Sequence, residues 1–276
     1  MCVIVSDRMD RVKQEWDKTA VSDWYMGYRK DNVILKIIQE PESLFHPNTF
    51  SLLKKYISDF RGRHILVPSS GDNRAVFAFA ALGADVTSCD ISEKQIELAE
   101  RTAKKHNLSI QFQIENTMKL DGISNESYDF VYTSEGVHVW IDDLNGMYQN
   151  IWRVLKPDGI YINYEIHPIV RPFDYSDGKP KDKDIIVQND YDIIGPFDDG
   201  LIYHWRTMDI LNAVAISGFV LLQLEEMHDN PVNGHFWFYE EERKKMSSES
   251  ILAYYDYHTN PLAALPQWFS IAARKV

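Results

Sequence analysis

The sequence predicts a doubly wound α/β fold, a mostly parallel sheet with helices packed on both faces. Three observations carry this. Short apolar runs alternate with helix-forming runs from His64 to Tyr164. The first apolar run ends in a tight turn, Pro68 to Asn73, that opens a helix. The second ends in an acid, Asp90, 19 residues beyond Gly71 of that turn.

Taken in order, residues 7–56 are helix-compatible and rich in aromatics, among them Trp16, Trp24, Tyr25 and Tyr28, and read as an N-terminal helical cap. His64 to Val67 is the first strand. Arg74 to Leu82 is a helix that stops at Gly83, a residue suited to a left-handed C-cap. Val86 to Cys89 is the second strand, and Ser92 with Gln95 three residues on makes a capping box for a helix reaching about His106. Ile110 to Ile114 and Tyr128 to Tyr132 read as the third and fourth strands and Leu144 to Leu155 as an amphipathic helix. Ile160 to Tyr164 is the fifth strand, entered through Lys156-Pro157-Asp158-Gly159. His167 to Tyr203 has no clear period and reads as an insertion over the edge where ligands bind. Thr207 to Ser217 is again helical, Phe219 to Leu224 a strand, Glu226 to Pro266 a second cover segment and Gln267 to Ala273 a terminal strand. With no repeat and no low-complexity linker, residues 1–276 are expected to form a single domain: a cap (1–60), a ligand-binding half (61–165) and a substrate-side half with the covers (166–276).

The chain of 276 residues carries a formal net charge of -12, with its basic residues scattered. Such a surface repels phosphate backbones, so no nucleic-acid partner is expected. The acidity is ordinarily a matter of solubility; its sharper reading is attraction of a cationic acceptor. The two cysteines, Cys2 and Cys89, lie too far apart in sequence to suggest a disulfide framework or a zinc site, which fits a reducing, cytoplasmic setting. No apolar run approaches the ~20 residues of a membrane span, and the opening Met1 to Ser6 is too short for a signal h-region, so an unsecreted protein is expected. Carboxylates and histidines show no metal-ligand spacing, so no metal is expected.

In a doubly wound sheet, ligands bind beyond the carboxyl ends of the strands. Ser69 and Ser70 stand in the turn where small residues still permit close approach, and Asp90 stands at the spacing at which an acid meets the hydroxyls of an adenosine ribose. The plainer role for Asp90 is to help start the next helix, although Ser92 is already a competent cap.

The ordered segments "HILVPSSGDNRAVFAFAALGADVTSCDISEKQIELAE", "YDFVYTSEGVHVW" and "RVLKPDGIYINYEIHP" resemble the motif set of class I, Rossmann-like S-adenosylmethionine-dependent methyltransferases over about Arg63 to Pro168. Within that class they look most like a bacterial group of small-molecule type in which serine partly replaces a "GG" turn and the fifth strand ends in "HP". The resemblance implies a seven-stranded sheet with an antiparallel last strand and S-adenosylmethionine across the ends of the first four strands. It places Ser69, Ser70 and Gly71 at the methionine part, Asp90 at the ribose, Ile91 and Met118 on either side of the adenine, and Asn116 and Thr117 beside it. Asn116 stands where the class commonly has aspartate. Ser134, Glu135 and Gly136 would lie near the sulfonium and the acceptor.

The chemistry implied is direct displacement onto a small molecule or short peptide, cationic or aromatic, enclosed by the cap and both covers. Trp24 is the preferred member of a mobile lid, with Tyr25, Tyr28, Trp140, Trp205 and Trp237 as further aromatic candidates. His138 and His167 are the candidate bases, with His204 behind them; each has the alternative role of a packed, hydrogen-bonded core histidine, and positioning alone can suffice without a base. Two rival readings stand beside this one: a noncatalytic S-adenosylmethionine-binding protein, and an NAD-type oxidoreductase, which would want a fuller G-x-G-x-x-G.

Overall fold

The computed structural model describes residues 7–173, 185–232, 234–238 and 240–276. Cys2 and the middle of the insertion after the fifth strand lie outside the described residues. Four helices come first, α1 (Arg8–Ala20), α2 (Asp23–Tyr28), α3 (Asp31–Gln39) and α4 (Pro47–Tyr56). The sheet half follows as β1 (His64–Val67), α5 (Arg74–Ala81), β2 (Asp85–Asp90), α6 (Glu93–Lys105), β3 (Ile110–Ile114), β4 (Tyr128–Ser134), α7 (Leu144–Val154) and β5 (Leu155–Ile166). The chain ends with α8 (Thr207–Ile216), β6 (Phe219–Met227), the short α9 (Glu240–Arg243), α10 (Ser248–Tyr255) and β7 (Trp268–Lys275).

The seven strands lie in the order β3-β2-β1-β4-β5-β7-β6. β1 to β5 pair in parallel, and β7 enters antiparallel between β5 and β6. This is the class I methyltransferase fold. It sets aside the NAD-type reading, whose six strands run parallel in the order 3-2-1-4-5-6.

Burial explains the order. Leu66, Phe130, Val131, Tyr161 and Ile162 are buried in the middle of the sheet, where parallel strands must be apolar on both faces. Phe77 and Phe79 of α5 cover one face of the sheet together with the cap residues Ile34, Leu52 and Leu53, so the cap shares the sheet's core. Met147, Tyr148 and Ile151 of α7 with Ile210 and Val214 of α8 cover the other face.

Several expected boundaries change. β4 runs on to Ser134 and β6 to Met227, so the second cover starts after the strand, at His228. β5 takes in the Lys156–Gly159 turn, with a register shift between Tyr128 and Phe130 of its partner β4. The capping box at Ser92 forms by half: Ser92 Oγ accepts from Gln95 N at 3.0 Å, while Gln95 Oε1 accepts from Arg29 instead of turning back.

Candidate functional site

A cavity of about 520 Å³ opens at the carboxyl ends of β1, β2 and β4. The turn after β1 forms its floor. Ser69, Gly71 and Asn73 all take positive φ there (49°, 51° and 67°), although Gly71 is the sole glycine of the three. The two non-glycine residues hold these conformations through side-chain bonds. Ser69 Oγ meets Thr117 Oγ1 at 2.6 Å, and Asn73 Nδ2 donates to Ser70 Oγ at 2.9 Å and Ser88 Oγ at 3.3 Å. A side chain at Gly71 would be strained by its φ and would enter the cavity 3.8 Å from the Tyr25 hydroxyl.

Asp90 closes the far side of the turn. It is 4% exposed, and its two oxygens accept from Gly71 N at 3.0 Å and Ser92 N at 2.9 Å. It therefore helps start α6 and also faces the cavity. Among the described residues it has no ion pair, and burial pushes its carboxyl up to about 6, against the opposing pull of the two N–H bonds.

Of the other residues expected in the site, Trp24, Ile91, Asn116, Thr117, Met118, Ser134, Glu135 and Gly136 all line the cavity. Asn116 Oδ1 accepts from Met118 N at 2.9 Å, which fixes the amide beside the methionine. Trp24 sits at the rim, 45% exposed, and donates to the Tyr28 hydroxyl at 2.8 Å. Glu135, at φ 61°, accepts from Arg74 Nη2 at 2.8 Å. Ser70 is the exception: its Oγ is drawn down to Ser88 Oγ at 2.8 Å and it does not line the cavity.

The histidine expectations change most. His138 is buried against Tyr148, with Nε2 2.8 Å from the hydroxyl, and burial pushes its imidazole down to about 3. His167 caps the turn after β5 and lies 2.7 Å from Glu226. His204 packs on Phe197, 4.6 Å between ring centroids. None of the three lines the cavity. His235, on the second cover, is the histidine that does line it.

The walls are aromatic. The cap contributes Trp16, Tyr25, Tyr28 and Phe45, the sheet Tyr132, Tyr164 and Trp268, the loop after β4 Trp140, and the second cover Phe236 and Trp237. The insertion after β5 supplies no lining residue among those described. It buttresses α1 and the loop after β4 instead: Leu201 O accepts from Arg8, and Trp205 Nε1 donates to Ile141 O at 2.8 Å. Trp205 thus belongs to this support and not to the cavity.

Several residues of the site give little sign in the sequence. Arg74 carries the clearest one, a cation in the first turn of a helix, where the macrodipole opposes it. It bonds Asp72 and Glu135 and lies 4.1 Å from the Tyr28 ring, so it ties the turn after β1, the loop after β4 and the cap together. Glu165 is buried under the loop after β4 and accepts from Gly136 N at 2.9 Å and Val137 N at 2.7 Å, with burial pushing its carboxyl up to about 7. No group of three or more candidate metal ligands occurs among the described residues, and none of their helices is long and apolar enough to cross a membrane.

Residues 66–163, from β1 to β5, match the family model of the methyltransferase domain. The ribosomal protein L11 methyltransferase of Dictyoglomus turgidum is 34% identical over 145 residues, 50% of this chain and 45% of that protein. The sterol 24-C-methyltransferase of Schizosaccharomyces pombe is 30% identical over 152 residues, 54% of this chain and 38% of that protein. The chain thus spans less than half the length of these curated relatives. Among solved structures, the geranyl diphosphate C-methyltransferase of Streptomyces coelicolor A3(2), crystallised with Mg2+, geranyl diphosphate and S-adenosyl-L-homocysteine, superposes with a TM-score of 0.59 at 14% identity. That match covers 99% of this chain and 100% of the other and speaks for the fold.

Proposed function

We propose that this chain, built on a class I methyltransferase domain, binds S-adenosylmethionine in the aromatic cavity and directs its methyl group to a small acceptor enclosed by the cap and the second cover. One observation carries the reading. A buried carboxylate, Asp90, faces the cavity and has no ion pair among the described residues, bracketed by Gly71 on one side and Ile91 on the other. Its remaining lone pairs suit the two donors of a ribose diol.

The rest of the floor fits the same ligand. Ile91 and Met118 offer apolar faces for an adenine, with Asn116 and Thr117 at its edge. Ser69 and Gly71 leave backbone room for the amino-acid end. Once bound, the cofactor supplies a methyl group already activated on a cationic sulfur, so the protein's task is placement and exclusion of water. Aromatic faces such as Tyr25, Tyr28 and Trp140 favour a cation between them, and the Arg74 pairs to Asp72 and Glu135 hold the loop after β4 against the turn after β1. The acceptor would enter between Phe45 of the cap and the His235–Phe238 segment of the second cover. A cavity of this size suits a small molecule better than a folded protein or a nucleic acid. The relatives act on acceptors as different as a ribosomal protein and a sterol by their names, so the acceptor is argued from this chain's own walls.

The test is calorimetric titration with S-adenosylhomocysteine, with NADH as control. Saturable binding of the first alone supports the reading; no binding, or equal binding of both, overturns it.

A further inference from the structure

Trp237 and His235 line the cavity, and each holds a buried ring nitrogen, Nε1 and Nε2, with no hydrogen-bond partner among the described residues. Both belong to one short segment of the second cover. An indole N–H is a donor only, and Trp237 is 4% exposed, so water does not satisfy it from outside. A buried donor left unmet costs about 1–3 kcal/mol, and native proteins leave few of them without a reason.

Hydrogen bonds hold the segment in place, so the unpaired indole is a built feature. Asp229 accepts from Phe236 N at 3.2 Å, from the Tyr255 hydroxyl at 3.0 Å and from Trp268 Nε1 at 2.9 Å. Trp237 itself packs in a small core with Phe238, Leu262 and Ala263. Around the two nitrogens the wall is aromatic: His235 lies 5.2 Å from the Trp268 ring, which stacks on Tyr164 at 4.6 Å. The carboxylate beside His235, Glu135, is 3.7 Å from Nε2, outside hydrogen-bond reach, and is already held by Arg74.

Resting on the reading that the floor of the cavity holds S-adenosylmethionine, we infer that this wall is the acceptor subsite. Its ligand class is a small aromatic or apolar molecule bearing a hydrogen-bond-accepting oxygen, a phenol or a carboxylate, seated with that oxygen on Trp237 Nε1–H and His235 Nε2. An ammonium group would present donors to a donor and leave the indole unmet, so of the cationic and aromatic acceptors considered from the sequence the wall selects the aromatic one. Trp237 and His235 set specificity here.

The experiment is a titration of full-length protein, labelled with ¹⁵N at the tryptophan indoles and saturated with S-adenosylhomocysteine, using benzoate and phenol as probes and toluene and benzylamine as controls. The indole signals of the seven tryptophans are to be assigned by triple-resonance spectra. Benzoate or phenol should move the Trp237 indole proton downfield and slow its exchange with water, while toluene and benzylamine do neither. Trp237→Phe should weaken benzoate about tenfold and toluene less than twofold. The proposal is overturned if neither oxygen probe moves the Trp237 signal up to its solubility limit, or if the controls move it equally. The wild-type titration decides this even if the variant does not fold. Failure of the cofactor reading looks different: S-adenosylhomocysteine alone would then leave the Trp24 and Trp140 signals unmoved.

Discussion

Arg29 donates from Nη2 to Asn73 Oδ1 at 3.3 Å, joining the end of α2 to the residue that starts α5. The same guanidinium reaches Gly71 O at 3.4 Å and Ala20 O at 3.3 Å and also bonds Gln95. A single buried side chain of the cap therefore fixes the shape of the turn after β1 from behind.

Arg29→Ala should accordingly cost about 2–4 kcal/mol in urea unfolding, since it leaves several buried acceptors unmet. It should also weaken S-adenosylhomocysteine, because the turn loses its backing. Arg29→Lys should rescue little of either, as one ammonium does not span acceptors on three segments. Unfolding free energies within about 0.5 kcal/mol of wild type would show that the turn holds itself.

The same anchoring predicts where motion lies. Asp17 accepts from Ser92 Oγ and from Lys94 N at 3.2 Å, a second tie between the cap and the cofactor half. Amides of α1 and of Tyr25 to Arg29 should then be slow in hydrogen exchange before any ligand is added. Protection gained on adding S-adenosylhomocysteine with benzoate should fall mainly on 234–238. Fast exchange of α1 and α2 in the free protein, slowed by ligand, would instead make the cap the mobile lid.

Asp90 predicts a pH dependence of binding. Ribose donors want the ionised carboxylate, whose free-state value is about 6. Affinity for S-adenosylhomocysteine should be flat above pH 7 and about tenfold weaker at pH 5, where most of the carboxyl is protonated. Asp90→Asn should bind more weakly by roughly 1.5–3 kcal/mol at pH 8 and should lose that pH dependence. A wild-type affinity that does not change from pH 8 to pH 5 would remove Asp90 from the ligand.

Glu165 predicts a pH dependence of stability with a defined sign. Burial raises its folded value to about 7, above the value of an unfolded glutamate. The group's contribution is then fully present below about pH 4.3 and is lost as pH rises through about 7, by about 3–4 kcal/mol in all. Glu165→Gln keeps one acceptor for Gly136 and Val137 and removes the ionisation. Wild type minus variant, measured by denaturant unfolding at pH 5 and pH 8, should shift against wild type at the higher pH; no shift would mean that Glu165 is ionised at little cost.

The sheet half was legible because its signals are local. The apolar runs, Gly83 and Ser92 each act within a few residues, and parallel strands buried on both faces must read as continuous apolar runs. Asp90 and Gly71 were legible for the same reason, since one strand, one turn and one helix fix their separation. The side-chain bonds that let Ser69 and Asn73 take positive φ were not, because their partners, Thr117 and Ser88, come from the loop after β3 and from β2.

The sequence by itself determined the class of fold, the position of the turn after β1 and the acid opposite it. Tertiary structure decided which residues face the cavity. His138 and His167 stand at the right ends of strands but are turned into the packing by Tyr148 and Glu226, while His235 reaches the cavity from the second cover. The physical reason is reach: strand and helix periods follow from backbone bonding between near neighbours. The direction of a side chain at the end of a strand depends instead on partners brought together by the closed sheet and its covers, which no local period records.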